Sequence, residues 1–146
     1  MTALLNRLSM QFVLAVALVG PAGACAAALT SEDAEMVRAV VQAQLEAFRD
    51  DDADSAFETA APAVREAIGS SGRFLAMVRG AYPMVYRPAR IAFHQPEEAA
   101  GQILQMVEIT DADAKSWLAL FSMEKQPDNS WRISGCLVAE NHWRAA

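Results

Sequence analysis

The spacing of apolar residues along this chain changes at Arg90, from the helical period of about 3.6 to the strand period of 2. Before that point, "TSEDAEMVRAVVQAQLEAFRDDD" sets Val37, Val40, Val41, Gln44, Leu45 and Phe48 on one stripe of a helix of about five turns. Thr30, followed three residues later by Asp33, reads as its N-terminal cap, with acids in the first turn where the helix dipole favours them. Past Arg90, "RIAFHQ", "GQILQMVEIT", "SWLALFSMEK" and "WRISGCLVA" read as strands. The stretches between them, Pro96–Gly101, Asp111–Lys115 and Gln126–Ser130, are rich in turn formers. Connections this short join antiparallel neighbours. Helices first and strands afterwards predict an α+β fold, with N-terminal helices packed on a curved four-stranded antiparallel β-meander.

Within the helical half, Asp50-Asp51-Asp52 ends the first helix and a second runs from Asp54 to Ala60. Pro62 opens a third that continues through Ile68, since proline suits a first helical position. Gly69–Gly72 is a loop, and "RFLAMVRGAY" then carries Phe74, Met77, Val78 and Ala81 as another stripe. Pro83 and Pro88 make "YPMVYRP" an extended link. The strands are apolar on both sides: Trp117, Ala119, Phe121 and Met123 oppose Leu118 and Leu120, and Ile103, Val107 and Ile109 oppose Leu104 and Met106. A half-solvated sheet alternates more cleanly, so both faces are expected to be covered, one by helices and a ligand cavity, the other by a partner subunit. A homodimer through the sheet follows as an expectation. Gly135 marks a bend or bulge in the last strand.

The first thirty residues have a separate character. A start with one charge, Arg7, precedes an apolar run from Phe12 to Val19 and small residues after Pro21, the layout of a secretory leader. A run of eight is well short of the roughly twenty apolar residues a spanning helix needs. The leader is residues 1–26, or 1–28 if the second Ala-x-Ala site is used, and either cut removes Cys25. The lipoprotein alternative keeps Cys25 as the lipidated first residue, but Ala22-Gly23-Ala24 lacks the apolar residue expected three places before it. What remains, from residue 27 to 146, is one domain of about 120 residues with a tail from about residue 140 expected to be mobile. The expected location is the periplasm or the exterior. Cys136 is then unpaired within the chain, and its strand context predicts a buried, inert thiol.

Formal charge is −6, and −7 once Arg7 leaves with the leader, which argues against nucleic acid and anionic membranes as partners. The charge is uneven: residues 30–60 carry nine acids and two arginines, while 61–95 carry Arg65, Arg73, Arg79, Arg87 and Arg90 against Glu66 alone. An acidic helix facing a basic segment explains this, as does an anion-binding patch.

The blocks "AFRDDDADSAFETAAPAVRE", "RFLAMVRGAYPMVYRP" and "DADAKSWLALFSMEKQPDNSWRISGCLV" resemble a proteobacterial family of short exported proteins catalogued as domain of unknown function 4864. The similarity runs from about Ala34 to Val138, and the family supplies no activity or catalytic residues to carry over. The order of elements is also similar to the cystatin-like cone of nuclear-transport-factor-like and ketosteroid-isomerase-like proteins, although no strand pair stands between the second helix and "RFLAMVRG". That likeness implies a pocket between helices and sheet, with Tyr82, Tyr86, His94, Glu108 and Trp117 as its candidate polar groups.

Read by their chemistry, these residues support two functions. An isomerase or hydratase would need an acid or base in a buried pocket, and Glu108 or His94 could serve; an exposed Glu108 near a strand end would not. A non-enzymatic module would bind a small apolar ligand or an envelope protein partner through Tyr82, Tyr86, Arg87, Arg90, His94 and Trp117, of which the first four cluster in the proline-flanked link. A Cys136–His94 or Cys136–His142 dyad lacks any supporting motif. "DDDADS" opens like a calcium loop, but Ser55 and Ala61 stand where glycine and glutamate are required, so it reads as a solvated helix end. No metal and no cofactor are expected: two histidines forty-eight apart and one retained cysteine make no zinc spacing, and no phosphate-cradling glycine loop is present.

Overall fold

The computed structural model describes residues 29–144, so the leader and Cys25 lie outside the described residues. Helix α1 (Ser31–Arg49) begins where the cap predicted it, with Thr30 Oγ1 accepting from the Asp33 amide at 3.0 Å. It buries Val37, Val41, Gln44, Leu45, Ala47 and Phe48, and Asp50 and Asp51 end it, the latter at φ 55°. Asp52 then caps α2 (Ala53–Glu58) by accepting from the Ser55 amide. Pro62 occupies the first turn of α3 (Pro62–Ile68), which ends at Gly69. Its φ of 97° is a left-handed conformation that glycine adopts without strain. Ser70 caps α4 (Ser71–Ala81).

The segment expected to be an extended link is instead one helical turn, α5 (Pro83–Tyr86). Tyr82 ends α4 and starts α5, Pro83 supplies a preset first-turn φ, and Pro88 prevents Arg87 from continuing the helix.

The sheet contains β1 (Arg90–Phe93), β2 (Glu97–Ala99), β3 (Gln102–Thr110), β4 (Ser116–Lys125) and β5 (Trp131–Glu140), in the order β1-β3-β4-β5, all antiparallel. It therefore has five strands where four were expected. The extra one, β2, shares an edge of β3 with β1 and lies inside the stretch read as a turn. Its sequence, Glu-Glu-Ala, has no strand propensity, and pairing arises from the two-residue turn Ala100-Gly101, both with positive φ, which returns the chain directly onto β3. Gln105, fully buried, bridges the gap between β1 and β2 by donating from Nε2 to the carbonyls of His94 (2.7 Å) and Met106 (2.9 Å). The expected irregularity near Gly135 is a register shift opposite Ser122 and Met123.

The helices cover one face of the sheet. Val107, Ile109, Ala119, Phe121, Met123 and Ile133 from that face join the buried stripe of α1, Phe74 and Val78 of α4, and Val85 of α5 in one core. Full burial of side chains such as Phe48, Phe121 and Ile109 contributes about 1.5–3 kcal/mol each. Two ties set the helices on the sheet. The Ile133 amide donates to Thr59 O, and the Ala61 amide to Ile133 O, each at 2.8 Å. Asp33, at the start of α1, accepts from Trp131 Nε1 at 3.1 Å and from Lys125 Nζ at 3.2 Å. Trp131 is the chief cause of the lowered Asp33 pKa. No helix among the described residues is long and apolar enough to cross a membrane.

Candidate functional site: an apolar cavity between helices and sheet

At the β5 side of the sheet, α1, α3, α4 and α5 do not close fully over the strands, and a cavity of about 180 Å³ remains. Phe48 and Gln44 of α1, Val64 and Ile68 of α3, and Phe74, Met77 and Val78 of α4 wall it on the helix side. Phe121 and Val138, with Ile133 and Cys136, form its sheet side. The Phe74 ring meets Phe48 edge-on at 5.4 Å and Phe57 at 5.8 Å, which fixes the wall of α4 against α1 and α2.

The cavity is open on one side, where Met77, Tyr82 and Cys136 are exposed. Cys136 thus departs from the buried thiol expected of it: it faces the same side as Phe121, its cross-strand neighbour, but near the sheet margin, where the helices no longer cover it. Desolvation by the surrounding walls still pushes the thiol pKa up, which disfavours the thiolate. None of the lining residues is a carboxylate, histidine, lysine or arginine.

Of the candidate binding and catalytic residues singled out in the sequence, Tyr82 and Cys136 line this cavity, and Tyr86, Arg87, Arg90, His94, Glu108 and Trp117 lie elsewhere. Tyr86 and Arg87 belong to a separate cluster in which the Tyr86 hydroxyl, Arg79 Nη2 and Arg87 Nη2 all donate to Asp51, the two arginines at 3.0 Å. Both guanidinium groups also lie over the Tyr86 ring. Hydrogen bonding from Tyr86, then from Arg79, and the charge of Arg87 hold the Asp51 carboxyl below its usual range. The facing of acidic and basic segments is realised here. Arg90 sits apart in a surface groove with Gln42, Glu46 and Arg49.

His94 and Glu108 pair with each other, Nε2 to Oε2 at 3.0 Å, on the sheet face away from the helices. They are therefore not in the cavity, so neither of the two groups that a pocket isomerase was expected to use lines it. Residue parity decides this: Val107 and Ile109 point to the helices, so Glu108 between them cannot. Trp117 is half-buried against the core, its Nε1 donating to Asp111 Oδ2 at 2.8 Å and Lys115 lying over its ring. The chain after β5 is anchored by Asn141, which donates to Ser116 Oγ at 3.2 Å, and His142 follows in a 3-10 turn. No cluster of three or more potential metal ligands occurs among the described residues.

Most cavity residues are not legible as such in the sequence, because an apolar wall and an apolar core look alike in one dimension. Gln44 was the available signal, a polar residue in the middle of the α1 apolar stripe.

No curated protein matches the chain. A family model does, over residues 30–146, in agreement with the resemblance read from the sequence. The chain accordingly belongs to the family described as a domain of unknown function (DUF4864).

Proposed function

We propose that the protein is a non-enzymatic binding module, exported from the cell, that takes a small apolar molecule into the cavity between α1, α3, α4, α5 and the β4–β5 hairpin. The observation that carries this reading is the composition of the cavity. Aliphatic and aromatic side chains form nearly all of its walls, and Gln44, Tyr82 and Cys136 are its polar exceptions. Its volume, about 180 Å³, exceeds the roughly 150 Å³ of a dry engineered cavity that binds benzene. It is below the roughly 300 Å³ at which drug-sized pockets begin, so the occupant is small or reaches out through the open side. Proton-transfer catalysis requires a positioned acid or base near its working pKa. With Glu108 and His94 on the other face and the Cys136 thiol raised, the isomerase alternative has little support. Export rests on the leader read in residues 1–26.

The test is a methyl-detected NMR titration with toluene. Saturable shifts at Val64, Ile68, Val78 and Val138, abolished in a folded Val138→Trp variant, are expected. No saturable shift up to the solubility limit of toluene would refute the reading.

A second reading concerns the opposite sheet face, where Leu104, Met106, Leu118 and Leu120 are half-buried and Leu137, directly across from Leu120, is 73% exposed. An apolar patch on a sheet, carried by every copy of the chain, suits a two-fold pairing of identical subunits. Sedimentation equilibrium of wild type and Leu137→Lys tests it: a dimer lost in the variant supports the pairing, and a monomeric wild type at high concentration rejects it.

A further inference from the structure

We propose that the cavity selects an apolar molecule bearing one hydroxyl donor, received by Gln44 Oε1; this rests on the apolar-ligand reading and names its ligand class. Gln44 is 4% exposed and lines the cavity from α1. Its Nε2 donates to Thr59 Oγ1 at 2.9 Å, and Thr59 Oγ1 in turn donates to Ala56 O at 2.6 Å. A threonine hydroxyl has a single proton. With that proton on the Ala56 carbonyl, Oγ1 can only accept, so the NH2 end of the Gln44 amide must face Thr59. The amide is thereby oriented by its neighbours, and its oxygen is the end turned away from Thr59.

That oxygen accepts no hydrogen bond from a described residue. Among the described residues the sealed side-chain atoms without a partner are Arg65 Nε and Gln105 Oε1, so Gln44 Oε1 keeps some accessible surface, on a side chain that lines the cavity. An occupant without a donor would strip water from this acceptor and replace it with nothing, a penalty that a hydroxyl avoids. A carboxylate or ketone oxygen cannot satisfy Gln44 Oε1, because both only accept; the Tyr82 hydroxyl can donate to them, but it stands at the exposed mouth where water competes, and no cation lines the cavity to offset an anion. The class is therefore small alcohols and phenols with an apolar body, in preference to fatty-acid anions, ketones or ethers.

The experiment compares 4-ethylphenol with 4-ethylanisole, which keeps the ring and the oxygen but has no donor. Affinities are measured by NMR titration for wild type and for Gln44→Met, which keeps the length of the side chain and loses the acceptor. Transfer from water by itself favours the anisole, and exclusion of its extra methyl would favour the phenol without any acceptor, so the change of the ratio in Gln44→Met is what reports an acceptor in the site. The wild type is expected to prefer the phenol, with the phenol-to-anisole affinity ratio falling about tenfold in Gln44→Met. Thr59→Val, which removes the group that orients the amide, is expected to lower the ratio in the same direction. A wild-type preference for the anisole overturns the proposal while the apolar-ligand reading stands, as does a ratio unchanged in both variants. Failure of both compounds to bind removes the apolar-ligand reading and the donor with it.

Discussion

Replacing Phe74 by leucine isolates the ring contacts that hold α4 against the rest of the helical layer. The site is nearly fully buried, and leucine keeps an apolar side chain there while removing two aromatic contacts, to Phe48 at 5.4 Å and to Phe57 at 5.8 Å. Both separations fall within the range where ring pairs contribute about 0.5–1.5 kcal/mol each beyond simple burial, so the ring contacts alone predict a loss of about 1–3 kcal/mol. A domain of this size has roughly 5–15 kcal/mol of stability, so the variant should remain folded and measurable. With a urea m-value of about 1–3 kcal/mol/M, the unfolding midpoint should fall by roughly 1 M with m unchanged. Phe48→Leu and the double variant complete a cycle whose coupling should be about 0.5–1.5 kcal/mol, the share of the Phe48–Phe74 pair alone. Because α4 also supplies Met77, Val78 and Tyr82 to the cavity, toluene binding should weaken in parallel. A midpoint shift below roughly 0.3 M, or a coupling near zero, would refute the claim that these rings fix the cavity wall.

Three further perturbations probe other parts of the structure. Asp51→Asn, which tolerates the positive φ, should lower Tm at pH 7 by releasing Tyr86, Arg79 and Arg87. The folded Asp51 pKa is depressed from 3.8, so its contribution is present above that value and lost as pH falls through the folded one; the Tm gap between wild type and variant should close below about pH 4 in a thermal melt. Cys136 is reachable but disfavours its thiolate, so alkylation by iodoacetamide at pH 7.5 should be at least about tenfold slower than for a model peptide thiol. A rate equal to that of the peptide would contradict the desolvated setting. Gly69→Ala forces a side chain into a left-handed position and should cost about 1 kcal/mol in urea unfolding, although its new Cβ meets nothing closer than Arg73 Nη1 at 3.9 Å.

Local patterns in the chain were sufficient for the features that depend on neighbours in sequence. The Thr30 cap, the buried stripe of α1, the proline start of α3 and four of the five strands follow from spacing and from residues that fix a backbone angle. Expectation and structure part where a distant contact decides the outcome. Glu-Glu-Ala becomes a strand because Ala100-Gly101 folds it onto β3, and "PMVY" becomes a helical turn between α4 and the sheet. Parity along β3 already separated Glu108 from Val107 and Ile109, yet which parity faced the helices was not available from one strand alone. Sequence by itself determined the types and order of α1 to α4 and of four of the five strands, the acidic balance and the family. Only the tertiary structure decided which apolar residues surround a void, that Asp51 gathers three donors from α4 and the end of α5, and that Cys136 is open to solvent. A cavity is the part of space that packed elements fail to fill, and that shortfall depends on how far apart in three dimensions α1, α3, α4 and β5 are held, a distance no local pattern encodes.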